Sequence, residues 1–238
     1  MGRQSNIKLK GTVENIIYYE TDGDYRMRSK PVEVNQSPAS IASSHLFGQA
    51  SKLEKAFRNM MLSAIPFNDV HEQQGRFRGA INQWLHSSTG KSATTVIRPL
   101  NTTWYEFNED SLLAERLQLQ ISIHSVDKKR IVLTIPAFQP QQSIVASAHT
   151  KKICFTIAAA SCKYDNISQQ DHSSTELEFP YSNNLVAKQN VILPLPVLPG
   201  TVTAIAVRME YYGGADGNSK TKNKRWMPAA VLTVLDNR

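Results

Sequence analysis

Hydrophobic and polar residues alternate most regularly along residues 117–135, in the C-terminal half of the chain. Residues 117–124 and 131–135 each place an apolar side chain at every second position, and the charged segment 126–130 separates them. A period of two is typical of a strand with one buried face. The pattern therefore predicts an antiparallel hairpin around which the rest of this half is organised, because two strands cannot bury their own apolar face.

Short segments with strand composition recur beyond Arg98, and prolines stand near many of their ends, where a sheet tolerates them. We predict eight strands, at residues 103–107, 117–124, 131–135, 152–158, 175–179, 190–195, 201–211 and 229–235. Short strands separated by turn signals are typical of a sandwich or barrel. The expected fold class is α+β and mainly β, with an antiparallel β-sandwich of immunoglobulin-like size.

Between Pro38 and Pro66 the apolar residues recur at steps of three and four, which predicts a helix that ends at the second proline. A second helix is predicted from an N-cap at Asn68 or Asp69. Its apolar stripe would be Val70, Phe77, Ile81, Trp84 and Leu85. The two helices predict a helical hairpin, which a Ser-, Thr- and Gly-rich linker at residues 87–95 joins to the β-part.

The chain is predicted to open with a β-hairpin. Residues 7–9, 13–19 and 25–28 have strand composition, and Asp22-Gly23 supplies the positive φ of a tight turn. We accordingly divide the chain into an N-terminal hairpin or arm (1–37), a two-helix segment with its linker (38–98) and a β-sandwich domain (99–238).

Two short motifs in this opening carry a family resemblance. Gly11-Thr12-Val13-x-Asn15 is followed by an aromatic pair and then by Gly23-x-Tyr25-x-Met27-Arg28-x-Lys30-Pro31. Over roughly the first sixty residues this resembles a family of uncharacterised bacterial proteins, many of them from Bacteroidota, that open with a G-x-V-G-N turn and a G-x-Y-x-x-R-x-K-P segment. Glu14 stands where that family usually has glycine. The resemblance implies a grouping and no function.

Composition places the chain among ordinary globular proteins, with 41% hydrophobic and 20% charged residues. No apolar run approaches the ~18 residues of a membrane span. Residues 1–10 lack the apolar core of a signal peptide, so we expect a cytoplasmic protein.

The net charge of +7 permits contact with nucleic acid without requiring it. One loop concentrates this charge beside an aromatic ring, and its residues are Lys220, Lys222, Lys224, Arg225 and Trp226. Such a loop can neutralise phosphates and stack a base. It can equally be a solubilising loop tip or an edge that docks a neighbouring subunit.

No pattern of catalytic or metal-binding residues stands out. Cys154 and Cys162 are flanked by small apolar residues and are expected to be buried, and Glu106 is expected in a solvated turn. The segment 89–92 (Thr-Gly-Lys-Ser) lacks the first glycine of a phosphate-binding loop. We therefore expect no enzymatic activity, no cofactor and no metal.

Three functions from different classes remain open. The leading hypothesis is a structural protein that assembles with copies of itself in a filament, tube or phage-like particle, because hairpins and arms suit subunit contacts. Its expected contact residues are Tyr18, Tyr25, Arg26, Arg28 and Lys30. The alternative is a nucleic-acid- or ribosome-associated module that uses the basic loop, Lys220–Trp226, together with Arg26–Lys30. A third is a carbohydrate- or peptide-binding sandwich with Trp104, Tyr105 or Trp226 as its platform.

Overall fold

A computed structural model of the chain describes residues 2–3, 8–33, 35–65, 70–88, 103–126 and 129–237. The chain divides into two compact units, Met1–His45 and Leu46–Arg238. Most of the helical region thus clusters with the sandwich, whereas the sequence pattern predicts boundaries after residues 37 and 98. Most of the predicted linker at 87–95 lies outside the described residues, as does the segment 89–92.

The first unit contains an antiparallel sheet in the order β1-β4-β3-β2. Its strands are β1 (Gly2–Arg3), β2 (Gly11–Val13), β3 (Ile16–Thr21) and β4 (Asp24–Ser29). The predicted turn is confirmed, because Asp22 and Gly23 join β3 to β4 with φ angles of 54° and 80°. The predicted strand 13–19 is interrupted by a second turn at Glu14 and Asn15, and β1 was not predicted.

Two long helices follow, α1 (Pro38–Met60) and α2 (Val70–Ser88), with a 3-10 turn at Leu62–Ala64. The Ser37 hydroxyl accepts a hydrogen bond from the Ser40 backbone N–H (3.2 Å), and proline at the first helical position needs no such bond. The predicted apolar stripe of α1 is buried only from Ala50 onward, since Ile41 and Phe47 are exposed.

In the second unit, the described residues form nine strands and two short helices. The strands are β5 (Tyr105–Glu106), β6 (Ser122–Val126), β7 (Arg130–Ile135), β8 (Lys152–Lys163), β9 (Gln170–Pro180), β10 (Gln189–Leu193), β11 (Thr201–Gly213), β12 (Ser219–Lys220) and β13 (Ala229–Asp236). The short helices are α3 (Leu113–Arg116) and α4 (Pro140–Ser143), and a 3-10 turn covers Lys224–Trp226.

The strands form two antiparallel sheets. The larger one has the order β5-β13-β11-β8-β9, with β12 also on β11, and the smaller one has the order β10-β7-β6. The predicted 117–135 hairpin is β6–β7 of the smaller sheet, and its ladder begins only at Ser122. Leu117 instead forms an isolated bridge with Ile144. The longest pairing, between β8 and β11, lies at the centre of the larger sheet.

The larger sheet separates two hydrophobic cores. One face packs on the smaller sheet, with Phe155, Val207 and Tyr211 among the buried residues. The other face packs on the helices, and there the sheet contributes small side chains such as Ala158 and Ala204. Alternate residues of a strand point to opposite faces, so each long strand serves both cores. The predicted mainly-β α+β fold with an N-terminal hairpin and helices is confirmed.

Candidate partner-binding surfaces

The N-terminal sheet has two chemically different faces. Residues paired directly across an antiparallel ladder lie on the same face. Ile16 pairs with Val13 and Tyr18 pairs with Met27, and Tyr25 pairs with Glu20, two positions along from Tyr18. We call the surface formed by Val13, Ile16, Tyr18, Tyr25 and Met27 the apolar face.

The opposite face carries positive charge. Ile17 pairs with Arg28 and Tyr19 pairs with Arg26, and Thr12 extends this surface onto β2. We call Thr12, Ile17, Tyr19, Arg26 and Arg28 the arginine face. The Arg28 guanidinium lies 5.8 Å from the centre of the Tyr19 ring, within cation–π range.

The five predicted contact residues therefore do not form one surface. Tyr18 and Tyr25 lie on the apolar face, whereas Arg26 and Arg28 lie on the arginine face. Lys30 follows the end of β4, where its backbone N–H donates to the carbonyl of Asn15 (2.6 Å). A partner on one face would contact the tyrosines, and a partner on the other would contact the arginines.

Burial sets this sheet apart from the second unit. None of the described residues 8–33 is buried, and Val13 and Ile16 remain 60% and 39% exposed. The carboxylate of Glu20, also on the apolar face, forms an ion pair with Lys10. The hydrogen bond from Lys10 lowers the pKa of Glu20, and the same hydrogen bond raises the pKa of Lys10. The one acidic group on the apolar face is thus matched by a cation of its own sheet.

The basic loop is held against the sandwich at several points. The buried side chain of Asn108 donates from Nδ2 to the carbonyls of Lys224 (2.7 Å) and Met227 (3.0 Å). Trp226 packs against the sandwich core, with its ring 5.6 Å from that of Tyr211 and 4.3 Å from the Arg116 guanidinium carbon. Trp226 is therefore half-buried between two side chains and does not project as a stacking platform.

Lys220 is separated from the other cations of this loop. Its ammonium group and the Arg208 guanidinium both pair with the carboxylate of Glu210, which is 5% exposed. Burial raises the pKa of Glu210, but hydrogen bonds from Lys220 and Tyr212 and the charge of Arg208 outweigh it and bring the pKa below its usual value. Lys222, Lys224 and Arg225 are exposed.

Glu106 has a structural role that the sequence analysis missed. Its carboxylate accepts hydrogen bonds from the backbone N–H groups of Leu113 (3.0 Å) and Ala114 (3.4 Å) and from the Thr103 hydroxyl (2.8 Å). The expectation of a solvated turn is wrong for Glu106, which is half-buried. Burial raises the pKa of its carboxyl more than these hydrogen bonds lower it.

The remaining candidates are also packed into the fold. Cys154 and Cys162 are buried as expected, and burial raises the pKa of both thiols to about 11, so neither is a ready nucleophile. Trp104 and Tyr105 pack against Phe77, with ring centroids 6.3 and 5.0 Å away. Among the described residues, no three His, Cys, Asp or Glu side chains are placed to hold a metal ion.

Comparison with protein-family models gives no match, and a search of curated proteins gives none either. In the part of the chain that the structure describes, no helix has the length and apolar character needed to cross a membrane.

Proposed function

We propose that this chain is a non-enzymatic structural protein that assembles with copies of itself, and that the apolar face of the N-terminal sheet is a subunit contact. The observation that carries the proposal is that residues 8–33 form a regular sheet although none of them is buried. A small sheet with no core of its own is marginally stable in water. A partner that covers its apolar face supplies the missing burial.

A second copy is the partner that this face fits best. Apolar faces are self-complementary around a two-fold axis, and two small sheets packed face to face make the layers of a sandwich. The charge of Glu20 is matched by Lys10, whereas the Lys8 ammonium, 5.6 Å from the centre of the Tyr25 ring, is a cation that the contact has to leave in water. The arginine face is charged, with Arg26 paired to Asp24 (3.6 Å) and Arg28 beside the Tyr19 ring, so it offers a second copy less apolar surface.

Two neighbouring isoleucines provide the test. Ile16 lies on the apolar face and Ile17 on the arginine face, so Ile16→Asp and Ile17→Asp make the same chemical change on opposite sides of one strand. Burying a carboxylate in the apolar contact costs several kcal/mol, so Ile16→Asp should weaken self-association on the order of a hundredfold. Sedimentation velocity of both full-length variants, in low and high salt, measures this.

The control variant Ile17→Asp should retain the assembly of the wild-type chain. Because the contact is apolar, high salt should leave the wild-type assembly in place, since salt screens charges only. Equal masses for Ile16→Asp and the wild type would rule out the apolar face as a subunit contact. A wild-type chain that is monomeric at every salt concentration would rule out the assembly proposal itself.

The nucleic-acid alternative draws less support from these contacts. It needs a basic loop with an available aromatic ring, whereas Trp226 is packed between Tyr211 and Arg116 and Lys220 is paired with Glu210. Lys222, Lys224 and Arg225 are exposed. That alternative predicts salt-sensitive binding that weakens when Lys220, Lys222, Lys224 and Arg225 are neutralised.

A further inference from the structure

Strand β9 forms a long outer edge of the larger sheet. It pairs with β8 along eleven residues, Gln170–Pro180, without a shift in register. In the described part of the chain, no backbone hydrogen bond joins its other side to another segment. The opposite edge of the same sheet is the two-residue strand β5. An edge of this length presents a row of unpaired N–H and C=O groups that another strand can pair with.

Natural edge strands are usually protected by charged side chains, above all lysine, or by a mid-strand proline, a bulge or a short length. β9 contains no lysine or arginine, its one proline is Pro180 at the end, and its ladder is regular. Its charged residues are Asp171, Glu176 and Glu178, towards the two ends of the strand. The middle of the strand, residues 173–175, is Ser-Ser-Thr and carries no charge. The even-numbered residues from Gln170 to Glu178 lie on the side of the sheet that faces the helices, yet they are exposed.

We propose that β9 pairs antiparallel with β9 of a second copy, around a two-fold axis perpendicular to the sheet at Thr175. Thr175 is the midpoint of Gln170–Pro180, so this register pairs the whole strand. It joins the two larger sheets into one continuous sheet with both helical layers on the same side. The inference adds a second contact to the assembly proposed above, and it does not depend on the N-terminal sheet.

The side chains of β9 are compatible with this register. In a two-fold pairing at residue 175, His172 lies opposite Glu178, Ser173 opposite Leu177 and Ser174 opposite Glu176. No two like charges are directly opposed, and opposed like charges would be destabilising. Moving the axis to Glu176 would place that carboxylate against its own copy. The Glu178 carboxylate already accepts a hydrogen bond from the Lys152 ammonium (3.1 Å), and both residues have even numbers, so they lie on the side of the sheet that faces the helices.

Two contacts of this kind have a consequence for the shape of the assembly. Each is isologous, because the same surface of both copies takes part. A chain with two different isologous contacts links its neighbours alternately through one and then the other. Unless the axes happen to close a ring, the product is an open polymer. The β9 contact therefore specifies how a chain that dimerises through its N-terminal sheet would extend into a filament.

A cysteine placed on the proposed axis tests the register directly. Directly opposed Cα atoms of an antiparallel pair are about 4.5–5.5 Å apart, which a disulfide can bridge. Thr175→Cys in the full chain should therefore give a covalent dimer on mild oxidation, reversed by a reductant. The native Cys154 and Cys162 are buried, so we expect neither to form an intermolecular disulfide in this experiment.

Ser173→Cys is the matched control. Ser173 and Thr175 lie on the same strand, point to the same side and are both half-buried. In the proposed register residue 173 pairs with residue 177 of the second copy, so the two copies of residue 173 are offset by four residues. That offset is ~13 Å along the strands, which is too far for a disulfide. Non-reducing electrophoresis and mass spectrometry should show the dimer for Thr175→Cys alone.

Failure of cross-linking by Thr175→Cys, or equal cross-linking by Ser173→Cys, would overturn the proposal. A second variant gives an independent readout, because Thr175→Glu puts two carboxylates against each other and should lower the mass found by sedimentation. Repeating the Thr175→Cys experiment with Ile16→Asp present separates the two contacts. Cross-linking of that double variant supports the β9 contact even if the apolar face of the N-terminal sheet is not a subunit contact.

Discussion

Glu14 holds a backbone conformation that suits glycine. Its φ is 51°, at the first of the two residues that turn β2 into β3. A left-handed conformation costs an L-residue with a side chain roughly 1–2 kcal/mol, and two-residue hairpin turns favour glycine at such positions. We expect Glu14→Gly to stabilise the N-terminal sheet by about 1 kcal/mol, after the added flexibility of the unfolded chain is counted.

Hydrogen exchange of the β3 and β4 amides measures this effect, and about 1 kcal/mol corresponds to roughly fivefold slower exchange. Glu33→Gly is the control, because it removes the same charge from an exposed position outside the strands. Unchanged or faster exchange in Glu14→Gly would show that the strain at residue 14 does not limit the sheet.

Two glutamates of the second unit should respond to pH in opposite directions. Glu106 has a raised pKa, so the folded state holds its proton more tightly than the unfolded state. Its contribution to the free energy of unfolding therefore falls as pH rises from the ordinary glutamate value of 4.5 through the folded pKa. Glu210 has a lowered pKa, so its contribution is present above 4.5 and is lost as pH falls through the folded pKa.

Glutamine variants isolate these contributions. The difference in the free energy of unfolding between wild type and Glu106→Gln should decrease from pH 4 to pH 7. The corresponding difference for Glu210→Gln should increase over that range, to about 1–3 kcal/mol, because Arg208 and Lys220 lose their buried acceptor. Urea unfolding at several pH values gives both slopes. Slopes of the same sign would show that one of these environments is misassigned.

At the scale of elements, alternation predicted most strands but not their ends. The predicted strand 152–158 extends as β8 to Lys163, through an Ala-Ala-Ser-Cys sequence that favours strands weakly. The predicted strand 175–179 begins five residues earlier in the structure, at Gln170. The prediction missed this start because the polar first half of β9 shows no alternation of apolar and polar residues. The sequence pattern therefore did not indicate that β9 is a long unpaired edge of the sheet. Strand order also depends on pairing between distant segments, which no local pattern encodes.

In the candidate surfaces too, the features that depend on neighbouring residues could be predicted from the sequence, and those that depend on contacts between distant residues could not. Tyr25 and Arg26 are neighbours on β4, so the alternation of side chains alone separates them onto two faces. The packing of Trp226 depends on Arg116, more than a hundred residues away, and no sequence spacing suggests it. One local signal was present for Glu210, since Arg208, Glu210 and Tyr212 place polar groups on one face of an otherwise apolar strand.

At the scale of the whole molecule, the strands of the N-terminal sheet contribute no side chain to either hydrophobic core. The buried residues of both cores lie at or beyond Ala50. Deleting residues 1–30 therefore removes the proposed face-to-face contact and no side chain of either core. We expect the shortened chain to unfold cooperatively at nearly the temperature of the full chain, and to form nothing larger than the dimer paired through β9.

Circular dichroism melts and sedimentation velocity on the shortened and full chains test both halves of this expectation. Large species that persist after the deletion would place the polymerising contacts elsewhere in the second unit. Loss of cooperative unfolding would show that the N-terminal sheet supports the sandwich. Adding Thr175→Glu to the shortened chain should leave a folded monomer, because both proposed contacts are then absent. That monomer would show that the two proposed contacts account for the whole assembly and that neither is needed for folding.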